Sequence, residues 1–218
     1  MTRNEALAAR GSWRRQAARA GAALVFGAAL SGCTLVPNSA PADMYVLEAA
    51  APRVGFDCAL SFSVREVRLA GHLDRPEIVI GKVGARIETS QRALWASTPA
   101  RELPAAIARA LARRLRGSQI VPHPWRFGET PALAIEVDVD RLEPEGGQLV
   151  AEIRWSAAEP RGQSPAVARG SYVARVPMAA GDAAATAAAV VTALGGFVDA
   201  LATRMAEHPQ VGTLCEAK

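Results

Sequence analysis

The sequence predicts an α/β domain: a single mixed sheet with prominent antiparallel pairing, covered by at least two helices. Three patterns carry that expectation. Residues 132–142 alternate, with Leu133, Ile135, Val137 and Val139 on one side and Ala134, Glu136, Asp138 and Asp140 on the other. Residues 149–156 alternate in the same way, and Glu145-Gly146-Gly147-Gln148 between the two runs reads as a hairpin turn. Two further stretches repeat at helical spacing: Leu103, Ile107, Leu111 and Leu115, then Val190, Leu194, Phe197, Val198, Leu201 and Met205.

The remaining elements follow in chain order. Met44–Glu48 reads as a short strand. Leu60, Phe62 and Val64 alternate with small polar residues, and a shift near Arg65 moves Val67 and Leu69 onto a bulged continuation. Gly71–Pro76 reads as a turn, and Pro76 restricts Arg75 to extended geometry. Glu77–Ile80 is a strand, Val83, Ala85 and Ile87 suit a following one, and Leu94-Trp95 close this region. The first helix is expected from about Arg101 to Arg116, with Pro104 in its early turn. Its Arg109, Arg113, Arg114 and Arg116 are expected mostly on the solvent side and at the C-terminal end, which helix polarity favours. Ile120–Trp125 is a connector or edge segment because it holds two prolines. Val167–Val176 is expected to be the last strand. Asp182 is placed to cap the Ala-rich helix that runs to about Glu207. Gly195-Gly196 either softens that helix or permits close backbone packing.

The amino end reads differently. An arginine-rich start to Arg19 precedes the apolar stretch Ala20–Leu30, whose eleven residues suit a secretory signal core and fall short of a membrane span. Leu30-Ser31-Gly32-Cys33 then reads as a bacterial lipobox. Small Ser31 and Gly32 admit a peptidase, and the Cys33 thiol accepts a diacylglyceryl group; two or three acyl chains make a durable anchor. Thr34, rather than an aspartate, follows Cys33, so the expected destination is the outer membrane, facing the periplasm. Residues 33–43 form a tether with Pro37 and Pro41. The ten residues 34–43 that follow Cys33, at about 3.3 Å each, reach roughly 30 Å. The expected organisation is thus a signal over 1–32, the lipidated tether over 33–43, a periplasmic domain over 44–208 and an exposed tail over 209–218.

Charge excludes a nucleic-acid role. The formal net charge is +4, yet of 25 basic and 21 acidic side chains five arginines and Glu5 fall in residues 1–32, leaving 20 of each sign in residues 33–218. No basic stripe remains for a phosphate backbone. With Cys33 lipidated, Cys58 and Cys215 are left either to pair in an oxidising compartment or to stand as a buried thiol and an incidental tail cysteine.

Enzymatic chemistry has little to build on. His72, His123 and His208 are scattered, and neither a His-x-x-x-His nor a Cys-x-x-C spacing offers a metal site. There is no Gly-x-Ser-x-Gly elbow and no Gly-rich phosphate loop, so no cofactor is expected. Glu136, Asp138 and Asp140 share one strand face, which a solvated strand edge explains before a cation site does.

Several segments carry a resemblance. Tyr45-Val46-Leu47, Leu73-Asp74-Arg75-Pro76-Glu77-Ile78-Val79, Leu94-Trp95-Ala96 with the helix after it, the Ala151–Trp155 strand and the terminal Ala-rich helix together resemble the ABC-type transport auxiliary lipoproteins, including the PqiC-like proteins, over roughly residues 44–206. Leu94 stands where that family usually has arginine. The resemblance implies an α/β sandwich similar to an anticodon-binding domain, with no RNA binding attached to it. It also implies a noncatalytic accessory role beside an MCE-type periplasmic protein, an inner-membrane permease and a cytoplasmic ATPase that move lipids or other hydrophobic molecules between membranes. A homo-oligomer is compatible with it. Asp74, Arg75, Pro76 and Trp95 are the motif's candidates for partner contact or scaffolding. The alternative function is a structural or assembly lipoprotein that partners an outer-membrane channel.

Overall fold

Glycine writes the sharpest feature of the chain. Gly146 and Gly147 both take positive φ, 59° and 77°, and close the two-residue turn between paired Glu145 and Gln148. A turn with positive φ at both central positions matches the twist of the strands it joins, and glycine adopts it without a Cβ clash. The computed structural model describes residues 41–126, 128–160, 167–213 and 215–217. The expected leader, the lipobox Leu30, Ser31, Gly32 and Cys33, and most of the tether lie outside the described residues.

In chain order the elements are β1 (Asp43–Tyr45), β2 (Phe56–Cys58), β3 (Ser61–Leu69), β4 (Glu77–Val83), β5 (Arg86–Trp95), α1 (Pro99–Arg114), β6 (Leu115–Arg116) and β7 (Gln119–Ile120). They continue with β8 (Leu133–Glu145), β9 (Gln148–Ala158), β10 (Ala168–Pro177), α2 (Ala183–Glu207), α3 (Pro209–Gly212) and β11 (Cys215–Ala217). The strands form three sheets, ordered β10-β9-β8-β3-β7, β1-β5-β4 and β11-β2-β6. This corrects the single mixed sheet expected from the sequence. Alternation reports which residues share a face, not which strand edges join. After β3 the chain turns through Gly71–Pro76, and β4 then carries two register shifts against β5, on either side of Val79. Such bulges bend and twist a strand away from its neighbours. The β11-β2-β6 sheet is built from strands of two or three residues, too short to show a period.

The main sheet mixes both pairings: β8 is antiparallel to β9 and β9 to β10, while β3 runs parallel to β8. The register of β3 against β8 shifts between Val64 and Glu66, where the sequence pattern breaks at Arg65. Phe62, Ile135, Val137 and Ile153 of this sheet join Leu103, Ile107 and Leu111 of α1 and Leu194, Phe197 and Leu201 of α2 in one buried cluster. Each such side chain contributes about 1.5–3 kcal/mol on leaving water. By length and composition α2 would suit a membrane span, but Val190, Phe197, Val198 and Leu201 are buried within the domain. The Asp182 carboxylate caps it, accepting from the amides of Ala184 at 2.8 Å and Ala185 at 3.2 Å.

Three close approaches depend on glycine. A Cβ at Gly195 would lie 2.6 Å from the Ala50 Cβ, and one at Gly196 would meet the Tyr172 hydroxyl. The pair therefore lets α2 press onto the segment after β1 and onto β10. Gly170 sits opposite Trp155, and a Cβ there would reach 2.9 Å from the indole nitrogen.

Helix α1 differs from its expected form. It begins at Pro99, so Pro104 falls in its interior rather than its early turn, and it ends at Arg114. Arg114 itself is fully buried rather than on the solvent side. The chain end differs too. In place of an exposed tail, Val211 is buried in α3 and β11 pairs antiparallel with β2. A disulfide joins Cys58 to Cys215 across that pair, with the Cα atoms 4.0 Å apart.

Candidate functional site

The motif segment Asp74-Arg75-Pro76 and Trp95 meet at one joint. The Thr98 side chain at the start of α1 makes no capping hydrogen bond. Asp74, from the turn before β4, supplies one instead: its Oδ1 accepts from the Ala100 amide at 3.1 Å. The Pro76 carbonyl accepts from the Trp95 amide at 2.7 Å, and the Ala96 amide donates to the Tyr45 carbonyl at 2.7 Å. The joint thus ties α1, β4, β5 and β1. The Trp95 indole is buried beside Leu47, Ile78, Leu142 and Val190, around a gap of about 20 Å³. That is room for about one water. Arg75 is exposed, with its Nε 3.7 Å from the Glu77 carboxylate. The motif's hydrogen bonds therefore hold the β1-β5-β4 sheet to the start of α1, while the Trp95 ring packs toward Leu142 of the main sheet, and one guanidinium faces solvent.

Next to the joint lies a buried acid that the sequence did not single out. The Glu143 side chain is only 1% exposed, on the register-shifted end of β8. Its Oε1 accepts from Lys82 Nζ of β4 at 2.6 Å and from Arg141 Nε at 3.4 Å, and its Oε2 lies 2.7 Å from His72 Nε2. Burial opposes ionisation of this carboxyl, but hydrogen bonds from Lys82 and His72 outweigh it and hold the group below the ordinary glutamate value of 4.5. A depressed folded value gives stability that is full above the unfolded value and is lost as pH falls through the folded one. Glu143→Gln is expected to cost about 1–2 kcal/mol at neutral pH. It is also expected to flatten the acid limb of the stability curve below about pH 4.5, which thermal melts across pH would read.

The acidic ladder on β8 is neutralised locally. Arg65 lies 3.2 Å from Glu136, Arg68 2.6 Å from Asp138 and Arg154 2.6 Å from Asp140. The hydrogen bonds from Arg68 and Arg154 lower the carboxyl values of Asp138 and Asp140. The ladder is a mesh of ion pairs across β3, β8 and β9. Among the described residues no group of three or more His, Cys, Asp or Glu is placed to hold a metal ion.

The basic residues around α1 divide by environment. Arg113 donates to the Ala49 carbonyl at 3.4 Å, Arg114 is buried against Asp199, and Arg116 pairs with Asp57 at 2.9 Å. Arg109 stays exposed, as does Arg101 at the other end of the helix. Both line an open groove of about 340 Å³ between α1, β3 and residues 120–123. Trp125 stands beside it: its indole Nε1 donates to Ser63 Oγ at 3.0 Å, His123 packs edge-on at 5.4 Å, and the Arg65 guanidinium lies 5.6 Å from its ring centre. From the sequence, Ile120–Trp125 reads as a connector or edge segment, and β7 at its start does lie at the edge of the main sheet. The signal that segment held was a Trp between basic and proline residues, which has no period to detect.

Residues 45–206 match the family model of the ABC-type transport auxiliary lipoprotein component. A crystal structure of a protein from Xanthomonas campestris superposes with a TM-score of 0.57 at 19% identity, covering 78% of this chain and 94% of that one. A second solved protein, itself uncharacterised, gives a TM-score of 0.59 at 12% identity over 74% of this chain and 97% of that one. These likenesses bear on the fold alone. No curated protein matches the sequence.

Proposed function

Since the chain belongs to the ABC-type transport auxiliary lipoprotein family, we propose that it is the outer-membrane-anchored docking component of an MCE-type transport system. The role is noncatalytic: an accessory of transport rather than an enzyme. Cys33, acylated after cleavage of residues 1–32, holds the chain at the periplasmic face of the outer membrane. The folded body, which starts at Ala42, then meets an MCE-type protein whose inner-membrane permease and ATPase move lipids or other hydrophobic molecules. Asp74, Pro76 and Trp95 act as scaffold in this reading, and Arg75 is the motif's outward contact.

The observation that carries the reading is the family match across the folded body, directly after a lipobox and tether. The Cys58–Cys215 disulfide adds support, because such bonds persist in oxidising spaces like the periplasm. The test is purification of the tagged chain from its native membranes in mild detergent. Reproducible recovery of an MCE-type protein is the expected result. Recovery of an unrelated outer-membrane channel, with no MCE-type protein, would favour an assembly lipoprotein and remove this reading.

A further inference from the structure

We infer that the groove between the outer face of α1 and the Ile120–His123 segment is a docking site for an acidic, extended segment of a partner protein. Such a site gives a surface to the docking role proposed above, and it rests on that role.

Charge supplies the first ground. Residues 33–218 carry equal numbers of basic and acidic side chains, and the sheet face pairs its charges internally. Arg101 and Arg109 depart from that pattern. Both are exposed, and neither side chain has an ion pair or hydrogen bond among the described residues. They line the groove from one helix, with Arg65 and His123 on the opposite wall. An exposed guanidinium fork is suited to bidentate binding of a carboxylate.

Shape supplies the second. The floor between the arginines is apolar, formed by Val64, Pro104, Ala108 and Val121. Arg101 and Arg109 stand eight residues apart on α1. At about 1.5 Å per residue that is roughly 12 Å along the axis, more than a single phosphate bridges. An extended peptide advances about 3.3 Å per residue, so carboxylates four residues apart lie roughly 13 Å from each other. The groove is partly open to solvent and lined by guanidinium groups beside its apolar side chains, not an enclosed apolar chamber for an acyl chain, which sets a peptide ahead of a lipid. The wall is preset, since Ser63 and Arg65 already hold Trp125 in place.

Trp125 also reports on the site, because Trp95 and Trp155 are buried whereas Trp125 is partly exposed. The purified lipidated chain is titrated with a soluble peptide of alternating Glu and Pro, with its Gln–Pro counterpart as control, while tryptophan emission is followed. A saturable change with the Glu peptide alone is expected. The double variant Arg101→Glu, Arg109→Glu is expected to weaken it about tenfold or more, as two lost charge pairs imply. Both positions are exposed, so an unchanged melting temperature accompanies that loss. Equal binding of the Gln peptide, undiminished binding by the variant, or a response to phosphatidylglycerol vesicles with none to the Glu peptide would overturn the site. In native membranes the same variant is expected to stay anchored and lose its MCE-type partner. Equal recovery by variant and wild type rejects the groove while leaving the docking role intact; no recovery by the wild type rejects both.

Discussion

Replacing Arg114 with methionine is expected to destabilise the folded body by about 3–5 kcal/mol, the range for breaking a buried ion pair. Few polar or charged side chains among the described residues are so enclosed: Arg114 is 0% exposed. Its Nε donates to Asp199 Oδ1 at 2.5 Å, its Nη1 to the Ala110 carbonyl at 3.0 Å, and its Nη2 to the carbonyls of Ala50 at 3.2 Å and Gly195 at 3.0 Å. One guanidinium thus closes the end of α1, the middle of α2 and the segment after β1. Methionine keeps the volume but, among the described residues, leaves the Asp199 carboxylate with only the Arg53 amide, at 3.3 Å, and takes a donor from the carbonyls of Ala110, Ala50 and Gly195. At about 2–4 °C per kcal/mol for a chain of this size, the melting temperature should fall by roughly 6–20 °C. Lysine should rescue little, because an ammonium cannot reach four acceptors spread in a plane. Adding Asp199→Leu to Arg114→Met should restore part of the loss, since the stranded charge is then gone. A double variant that loses the full sum of both single changes would show that no coupling joins the two residues.

The second large effect belongs to the disulfide. Cys58 and Cys215 are separated by 157 residues in sequence, so their bond closes most of the domain into one loop. Loop-closure entropy alone gives an upper figure of about 5 kcal/mol, and removal of a native disulfide typically costs about 2–5 kcal/mol. The paired Cys58→Ser, Cys215→Ser variant is therefore expected to melt well below wild type. Strand β11 is only three residues long and Cys58 is 2% exposed, so amides of β11 should lose hydrogen-exchange protection first. Wild-type protein in reductant should behave as the variant does. Unchanged melting and unchanged protection of β11 would show that the short pairing holds by itself.

Much of the domain could be read from its residues, for physical reasons that differ by element. The β8–β9 hairpin was legible because period-two alternation and a Gly-Gly turn agree. The limits of α2 were legible because Asp182 caps its start and Pro209 follows its end. The bulge at Arg65 showed as a break in phase. What stayed hidden depends on contacts between distant residues. Arg114 looked like one more cation near a helix end, because its burial is created by Asp199 on another helix. Glu143 carries no mark in the sequence, because Lys82 and His72, which close over it, come from distant parts of the chain. Separate sheets also escaped the reading, since strand edges leave no mark on alternation. Of the family motif, Asp74, Pro76 and Trp95 do converge, with backbone roles at Pro76 and Trp95 that no side-chain pattern encodes.

All of the proposed transport role hangs from one sulfur atom. Intact-mass and peptide mass spectrometry of the protein extracted from native outer membranes should find a chain that begins at Cys33 and carries acyl chains on that residue. Cys33→Ser should abolish the modification and release the folded body from the membrane fraction. A chain retaining residues 1–32, with a free Cys33 thiol and no association with membranes, would contradict the anchor and the docking role built on it.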